Sequence, residues 1–390
     1  MISAVMPTYG RWDVAVDRGE GPYLWATDGR KFLDFTSGIA VTGLGHCHPH
    51  LVGAVTEQAK RLWHTSNLFQ IPGQERLAQR LVDNTFADTV FFGNSGAEAC
   101  ELAIKVARKY QSETGHPERY RIIACEGSFH GRTLATLAAA GNEAYLKGFG
   151  PPMDGFDHVA FGNLNEMRAA IGKETAAIFV EPIQGEGGVR SAPAGYLKGL
   201  REIADEFGVL LVYDEVQCGM GRTGKLFAHE WENVPPDVMA IAKALGGGFP
   251  IGACLATERA ATGMVAGTHG STFGGNPLAV AAGNAVLDVM LAPGFFERVD
   301  TMAKLLRERL EALVRSYPKL FAELRGSGLL LGIRCVVPAA DFVAKLRQNG
   351  LLCLTAGENV LRILPPLIVG EREVEEALGV MRKVAAEWPT

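Results

Sequence analysis

Lys243 lies in VMAIAKALGGGFPIG, flanked by apolar residues and followed by three glycines. Lysine is seldom buried without a reason. Desolvation disfavours the ammonium form and lowers its pKa, which leaves a free amine able to attack a carbonyl. Upstream, the apolar stretch Val209–Tyr213 ends in Asp214-Glu215, and Gly219 to Lys225 then spells G-x-x-x-x-G-K. A strand-end carboxylate beside a glycine loop invites a nucleotide-hydrolase reading. Three features exclude it. Leu226 stands where a magnesium-binding hydroxyl is needed, and LFAHEWENVPPD is a poor start for the long helix that must follow. The acidic strand also precedes the loop directly, whereas a phosphate loop follows a strand of its own.

Asp214 and Lys243 together point to another chemistry. Pyridoxal phosphate needs a lysine for its Schiff-base linkage and a carboxylate facing its pyridine nitrogen. At ~3 Å and an effective dielectric of ~20, such an ion pair is worth about 5 kcal/mol before desolvation costs. The ring nitrogen then stays protonated and draws in the electrons released when a substrate C–H bond breaks. The phosphate needs a cradle, and GNSGAEACELAIKVARKY supplies one. Ser95 as N-cap with Glu98 three residues on forms a capping box. The amides of Gly96 and Ala97 are then free to bind an anion at a positive helix end.

The elements that must position these groups follow from patterning. Short apolar runs at Thr89–Phe92, Arg121–Ala124, Ala177–Val180, Val209–Tyr213, Val238–Ala242 and Ile251–Ala256 read as strands. Helical patterns at Glu98–Tyr110 and Gly195–Phe207 alternate with them. This rhythm predicts an α/β fold with a mostly parallel sheet covered on both faces, whose ligands collect beyond the carboxyl ends of the strands. The 47 glycines cluster there, in GNSGAE, QGEGG, CGMGRTG, ALGGGFPIG and GSTFGGNP. After Pro277 come helices at Leu278–Leu291 and Phe296–Ser316. Short strands follow near Leu329–Cys335, Leu351–Thr355 and Val360–Leu364, with a last helix from Glu371. The expected organisation is an arm or small-domain segment at 1–45, a large domain at 46–289 and a small α+β domain at 290–390.

Composition narrows the partners. A net charge of −5 over 390 residues gives no electrostatic reason to expect nucleic acid or an anionic membrane. Pro7, Arg11 and Asp13 interrupt the N-terminus before a signal-peptide apolar run can build. Seven scattered cysteines, odd in number and never in C-x-x-C, predict a reduced cytoplasmic protein.

SGAEA, SFHGRT, VEPIQGEGGV, YDEVQCGMGRTG, AKALGGGFPIGA and GSTFGGNPLA occur together and in order. The combination resembles the class III aminotransferases of PLP fold type I, and within them the branch acting on acetylornithine, from about Tyr9 to the C-terminus. The resemblance implies a large domain with a mostly parallel seven-stranded sheet and a smaller α+β domain. It implies pyridoxal 5'-phosphate joined to Lys243, with that amine later moving a proton to and from the substrate carbon. Asp214 is expected on the pyridine nitrogen, Gln217 on the ring hydroxyl, and Phe129 and Val216 on the two ring faces. Ser95, Gly96 and Ala97 are expected at the phosphate, Glu215 among the cofactor-binding residues and Ser271 among the substrate-binding ones. Thr272 is expected to reach the phosphate of a neighbouring subunit, so the active unit would be a homodimer.

Two arginines fit a ping-pong reaction in which one pocket takes an amine and then a dicarboxylate, since the guanidinium fork binds carboxylates bidentately. By resemblance Arg132 binds the distal carboxylate and Arg362 the one nearest the reacting carbon of glutamate. Glu186 resembles a gate that pairs with Arg362 in one half-reaction and leaves it in the other. The expected reaction moves the δ-amino group of N2-acetyl-L-ornithine to 2-oxoglutarate. Other ω-amines (succinylornithine, N-succinyl-diaminopimelate, ornithine, 4-aminobutyrate) are alternatives. Ornithine-type relatives carry a tyrosine seven residues before the first His of GHCHP. Ile39 stands there and suits an acylated, uncharged nitrogen. Burying an unpaired ammonium would cost several kcal/mol. His46, His48 and His50 around Cys47 invite a metal reading, but Pro49 and the alternate spacing read as a turn, and no metal is expected.

Overall fold

The structure is a computed structural model that describes residues 3–389. Its centre is a seven-stranded sheet. The strands run in the order Thr89–Gly93, Gly252–Ala256, Val238–Ile241, Leu210–Asp214, Thr175–Val180, Arg121–Cys125 and Phe156–Val159. All pair in parallel except Gly252–Ala256, which is antiparallel to both neighbours. Six of the seven were legible as apolar runs. Phe156–Val159 was not, because FDHV lies at the sheet edge with two polar residues and one exposed position.

Alternation of side chains sorts the central strands between two cores. Leu210 and Val212 pack on one face with Phe179 and Ala240, while Leu211 and Tyr213 pack on the other with Ile178 and Met239. On the first face lies the Gly96–Glu113 helix, which buries Ala99, Leu102, Ala103, Val106 and Ala107 as its periodicity predicts. Cys100 and Ile104 join them, so the apolar stripe is wider than the sequence pattern implied. On the other face, Tyr196–Phe207 buries Leu197, Leu200, Ile203 and Ala204.

The C-terminal region adds an antiparallel sheet of Phe321–Ser327, Leu330–Cys335, Val360–Ile363 and Leu354–Ala356, flanked by Phe295–Ser316 and Glu371–Ala386. Its first strand had no sequence signal, since FAELRGS is mostly half-exposed and charged. Near the N-terminus, Val16–Glu20, Tyr23–Ala26 and Lys31–Asp34 form a meander that Leu351–Leu352 extends in parallel. The GMGRTG loop ties these parts together. Arg222 is fully buried there and donates to the carbonyls of Leu329 and Pro365.

Candidate active site

A cavity of about 420 Å³ opens at the carboxyl ends of the parallel strands. It brings together residues from five separate motifs: Ser95, Gly96 and Ala97; Phe129 and Arg132; Glu181; Asp214, Val216 and Gln217; and Lys243. A larger cavity of about 630 Å³ lies elsewhere, between the Pro49–Ala59, Pro72–Asp83 and Pro277–Met290 helices, and holds no lysine or buried carboxylate.

Lys243 starts a short 3-10 turn after the Val238–Ile241 strand, at φ +48°. A left-handed lysine is strained by about 1–3 kcal/mol, a cost that clusters at functional sites. The residue is half-buried because its amine faces the cavity. Burial lowers its pKa below the ordinary lysine value, opposed by Glu186, reinforced by the Arg362 cation, and opposed again by Asp214 and Glu181.

Asp214 is 3% exposed at the end of its strand. Its Oδ1 accepts from the Val216 N–H at 2.9 Å, and its Oδ2 from His130 Nδ1 at 2.8 Å and Cys100 Sγ at 3.4 Å. His130 stacks on Phe179 with ring centroids 4.1 Å apart, and its Nε2 has no hydrogen-bond partner among the described residues. Cys100, His130 and Asp214 lie close enough to face one ion, but burial holds the Cys100 thiol well above its usual pKa, so it is a thiol rather than a thiolate ligand. Glu181 comes from the adjoining strand. Val212 pairs with Phe179, so two residues on, Asp214 and Glu181 share a face. Glu181 accepts from the Phe129 N–H at 3.1 Å. Burial, and then the Asp214 charge, push its pKa well above the carboxylate range.

At the anion cradle, Ser95 accepts from the Glu98 N–H at 3.2 Å. The reciprocal bond lies one residue earlier than a simple capping box requires, with Glu98 Oε2 taking the Asn94 N–H at 2.7 Å. Gly96 has no room for a side chain, because a Cβ there would meet Val216 Cγ1 at 2.8 Å. Arg362 is 2% exposed; its Nη1 donates to Glu186 Oε1 at 2.6 Å and to Gln217 Oε1 at 3.1 Å. Arg132 is exposed, with its guanidinium 3.7 Å from the Tyr145 ring centroid and 5.5 Å from that of Phe129.

Five expected site residues are not part of the cavity lining: Arg362 and Glu186, which adjoin it through the Arg362–Gln217 bond, and Glu215, Thr272 and Ser271. The Glu215 side chain is a correction. Its oxygens take the Ala228 N–H at 2.6 Å and the His229 N–H and Nδ1 at 2.9 Å each. Strand alternation is the reason: Glu215 follows Leu211 and Tyr213 to the face opposite Asp214. Thr272 is exposed and lines no part of its own chain's cavity. Ser271 Oγ bonds Asn94 Nδ2 at 3.2 Å and the Gly274 N–H at 3.0 Å, beside a separate cavity of about 260 Å³. Ile39, at φ +65° and 41% exposed, is not among the cavity residues. His130, Glu181 and Tyr145 went unassigned in the sequence. The first two were signalled: His130 stands inside SFHGRT, and Glu181 follows an apolar strand as Asp214 does. Tyr145 had no signal. The histidines of GHCHPH disperse, His46 to Asp34 at 2.8 Å and His50 to Asp288 at 2.9 Å.

The family described as class-III aminotransferase matches residues 5–385. The chain belongs to the class III aminotransferases. Among the relatives of this aminotransferase, it is 58% identical to the acetylornithine aminotransferase of Mesorhizobium japonicum, over 97% of this chain and 95% of that one. It is 59% identical to acetylornithine aminotransferase 1 of Bradyrhizobium diazoefficiens, over 98% and 94%. A solved N-acetylornithine aminotransferase of Stenotrophomonas maltophilia superposes with a TM-score of 0.85 at 41% identity, covering 97% of both chains. The ornithine aminotransferase of Toxoplasma gondii, described with partial occupancy of PLP at its active site, gives 0.94 at 33% identity, over 98% of this chain and 92% of that one.

As a class III aminotransferase the chain depends on pyridoxal phosphate. The cavity fits that group on its own chemistry: an amine whose pKa burial lowers, a strand-end carboxylate, and a helix N-terminus where the lack of a Cβ leaves a closely packed cradle.

Proposed function

We propose that this aminotransferase moves the δ-amino group of N2-acetyl-L-ornithine to 2-oxoglutarate, giving N-acetyl-L-glutamate 5-semialdehyde and L-glutamate in arginine biosynthesis. One observation carries the two-substrate reading: the buried Arg362 cation is neutralised by Glu186, a carboxylate of the chain that is itself 27% exposed. An unpaired buried guanidinium would be costly. Glu186 therefore satisfies Arg362 while the amine substrate, which has no carboxylate near its reacting carbon, occupies the site. Glutamate brings its own α-carboxylate and displaces Glu186. Relatives named acetylornithine aminotransferase, at 55% to 59% identity, support the choice of amine.

Bound in the cavity, pyridoxal phosphate supplies an aldehyde that takes up an amino group and a ring that accepts electrons from the bond broken at the substrate carbon. The residues named next hold or act on that chemistry. Lys243 Nζ would be the covalent anchor and then the base that takes a proton from the reacting carbon and returns one to the adjoining carbon, a role that its lowered pKa favours. Asp214, held by His130 and the Val216 N–H, presents its charge to the ring nitrogen. Gly96 and Ala97 bind the phosphate with their amides, and Phe129 and Val216 exclude water from the ring faces. Gln217 has a second duty toward Arg362 besides the ring hydroxyl. Arg132, stacked on Tyr145, takes the carboxylate at the far end of the substrate.

The working unit in this reading is a homodimer. Thr272 is exposed and does not line its own chain's cavity, and Leu62, Trp63, Leu68, Phe69 and Phe273 are exposed apolar residues of the kind that subunit contacts cover. All seven cysteines are free, which fits a reducing cytoplasmic compartment, and no single helix among the described residues is long and apolar enough to cross a membrane.

The decisive experiment compares kcat/KM for acetylornithine, succinylornithine, ornithine and 4-aminobutyrate. Acetylornithine should lead, and a preference for ornithine or 4-aminobutyrate would overturn the assignment. Glu186→Ala tests the gate. The acetylornithine half-reaction should slow by about 10- to 100-fold relative to the glutamate half-reaction. Equal effects on both, in single-turnover spectroscopy, would exclude it.

A further inference from the structure

The loop that carries Glu186 is fastened to a single turn of the C-terminal sheet. The Gly357 N–H donates to the Glu186 carbonyl at 2.8 Å. Two residues earlier, on the Leu354–Ala356 strand that leads into that turn, the Thr355 carbonyl accepts from Arg362 Nη2 at 3.5 Å. One hairpin thus bonds both members of the 2.6 Å ion pair. It passes through two consecutive left-handed residues, Glu358 at φ +56° and Asn359 at φ +60°. Non-glycine residues hold that conformation only where their surroundings enforce it.

Asn359 is enforced from below, donating to the carbonyls of Cys335 and Val337 at 2.8 Å each and accepting from the Ala339 N–H at 2.8 Å. Glu358 is enforced from the gate side. Its carboxylate pairs with Arg325 at 2.5 Å and with Arg190 at 3.4 Å. Both arginines lead back to the gate loop. Arg325 donates to the Gly188 carbonyl at 3.4 Å, and Arg190 bonds the side chain of Gln184 on the loop's other flank. The result is a closed ring of contacts around Gly185 to Val189.

We propose that Glu358 is a positioning residue for substrate selectivity: clamped by Arg325 and Arg190, it fixes the main chain of the gate loop so that only the Glu186 side chain moves between half-reactions. This rests on the gate reading above. With the clamp released, the Glu186 carboxylate is no longer held against Arg362, and the acetylornithine half-reaction loses its neutralised pocket. The glutamate half-reaction is spared, because the substrate's own carboxylate meets Arg362. Part-exposed ion pairs add little to stability, so the loss should appear in selectivity rather than in folding.

The test is Glu358→Gln, alone and combined with Glu186→Ala, with each half-reaction followed in the holoenzyme by single-turnover absorbance. Glu358→Gln should slow the acetylornithine half-reaction about tenfold relative to the glutamate one, and should add nothing to that ratio in the Glu186→Ala background. Glu323→Gln, which breaks the other ion pair of Arg325 at 2.7 Å, should leave the ratio unchanged. The clamp is overturned if Glu358→Gln leaves the ratio untouched, if its shift persists without Glu186, or if Glu323→Gln shifts the ratio equally. If Glu186→Ala itself leaves the ratio unchanged, the gate has failed and the clamp falls with it. If only Glu358→Gln is silent, the clamp alone falls.

Discussion

Lys243→Ala should give a folded protein whose amino transfer is slower by about 10⁴-fold or more. Folding is expected to survive because the lysine stabilises little. It is held at φ +48°, where alanine bears the same strain, and its burial opposes its own charge. Activity is expected to collapse because Lys243 brings to the cavity an amine, its pKa lowered by burial, with access to a bound carbonyl. The check has two parts. Borohydride should no longer fix the cofactor to the chain, as read by protein mass, and both half-reactions should stall together in single-turnover traces. Retention of covalent capture in Lys243→Ala would assign the anchor to another amine and dismantle the proposed mechanism.

Asp214→Asn should lower kcat by about 10³-fold with little change in KM. The amide preserves shape and one acceptor but removes the charge. The interaction lost is an ion pair of about 5 kcal/mol at an effective dielectric of ~20, discounted for desolvation. It acts on electrons that move during the chemical step, so the loss belongs in kcat. Borohydride capture should persist, since Lys243 is intact, which separates this variant from the first. Activity within threefold of the parent would remove Asp214 from its electronic role and leave the His130–Asp214 contact as packing alone.

How far the sequence could be read depends on the range of each interaction. Strands such as Val209–Tyr213 and helices such as Glu98–Tyr110 were legible because short continuous apolar runs and 3.6-residue periodicity are local properties. Phe156–Val159 and Phe321–Ser327 were not, because edge strands exposed on one side carry polar residues that mask the pattern. Lys243 and Asp214 stood out as charges in apolar surroundings. Glu181 followed a recognised strand but was missed, since its meaning depends on register with the neighbouring strand that carries Asp214. Glu215 was assigned to the cofactor by resemblance, and alternation sends its side chain to the opposite face, onto His229.

By itself, then, the order of residues determined an α/β sheet with glycine loops at its strand ends, and a lysine and an aspartate whose types specify the chemistry. Tertiary structure alone decided the rest. It brought Glu186 to 2.6 Å from Arg362, a pairing that resemblance had implied but the spacing of the residues had not, set Arg132 on Tyr145 and ran the Glu358 contacts beside the gate loop. The physical reason is that desolvation and ion pairing depend on distance through space. Chain separation carries no record of that distance, and Arg362 meets Glu186 across 176 residues.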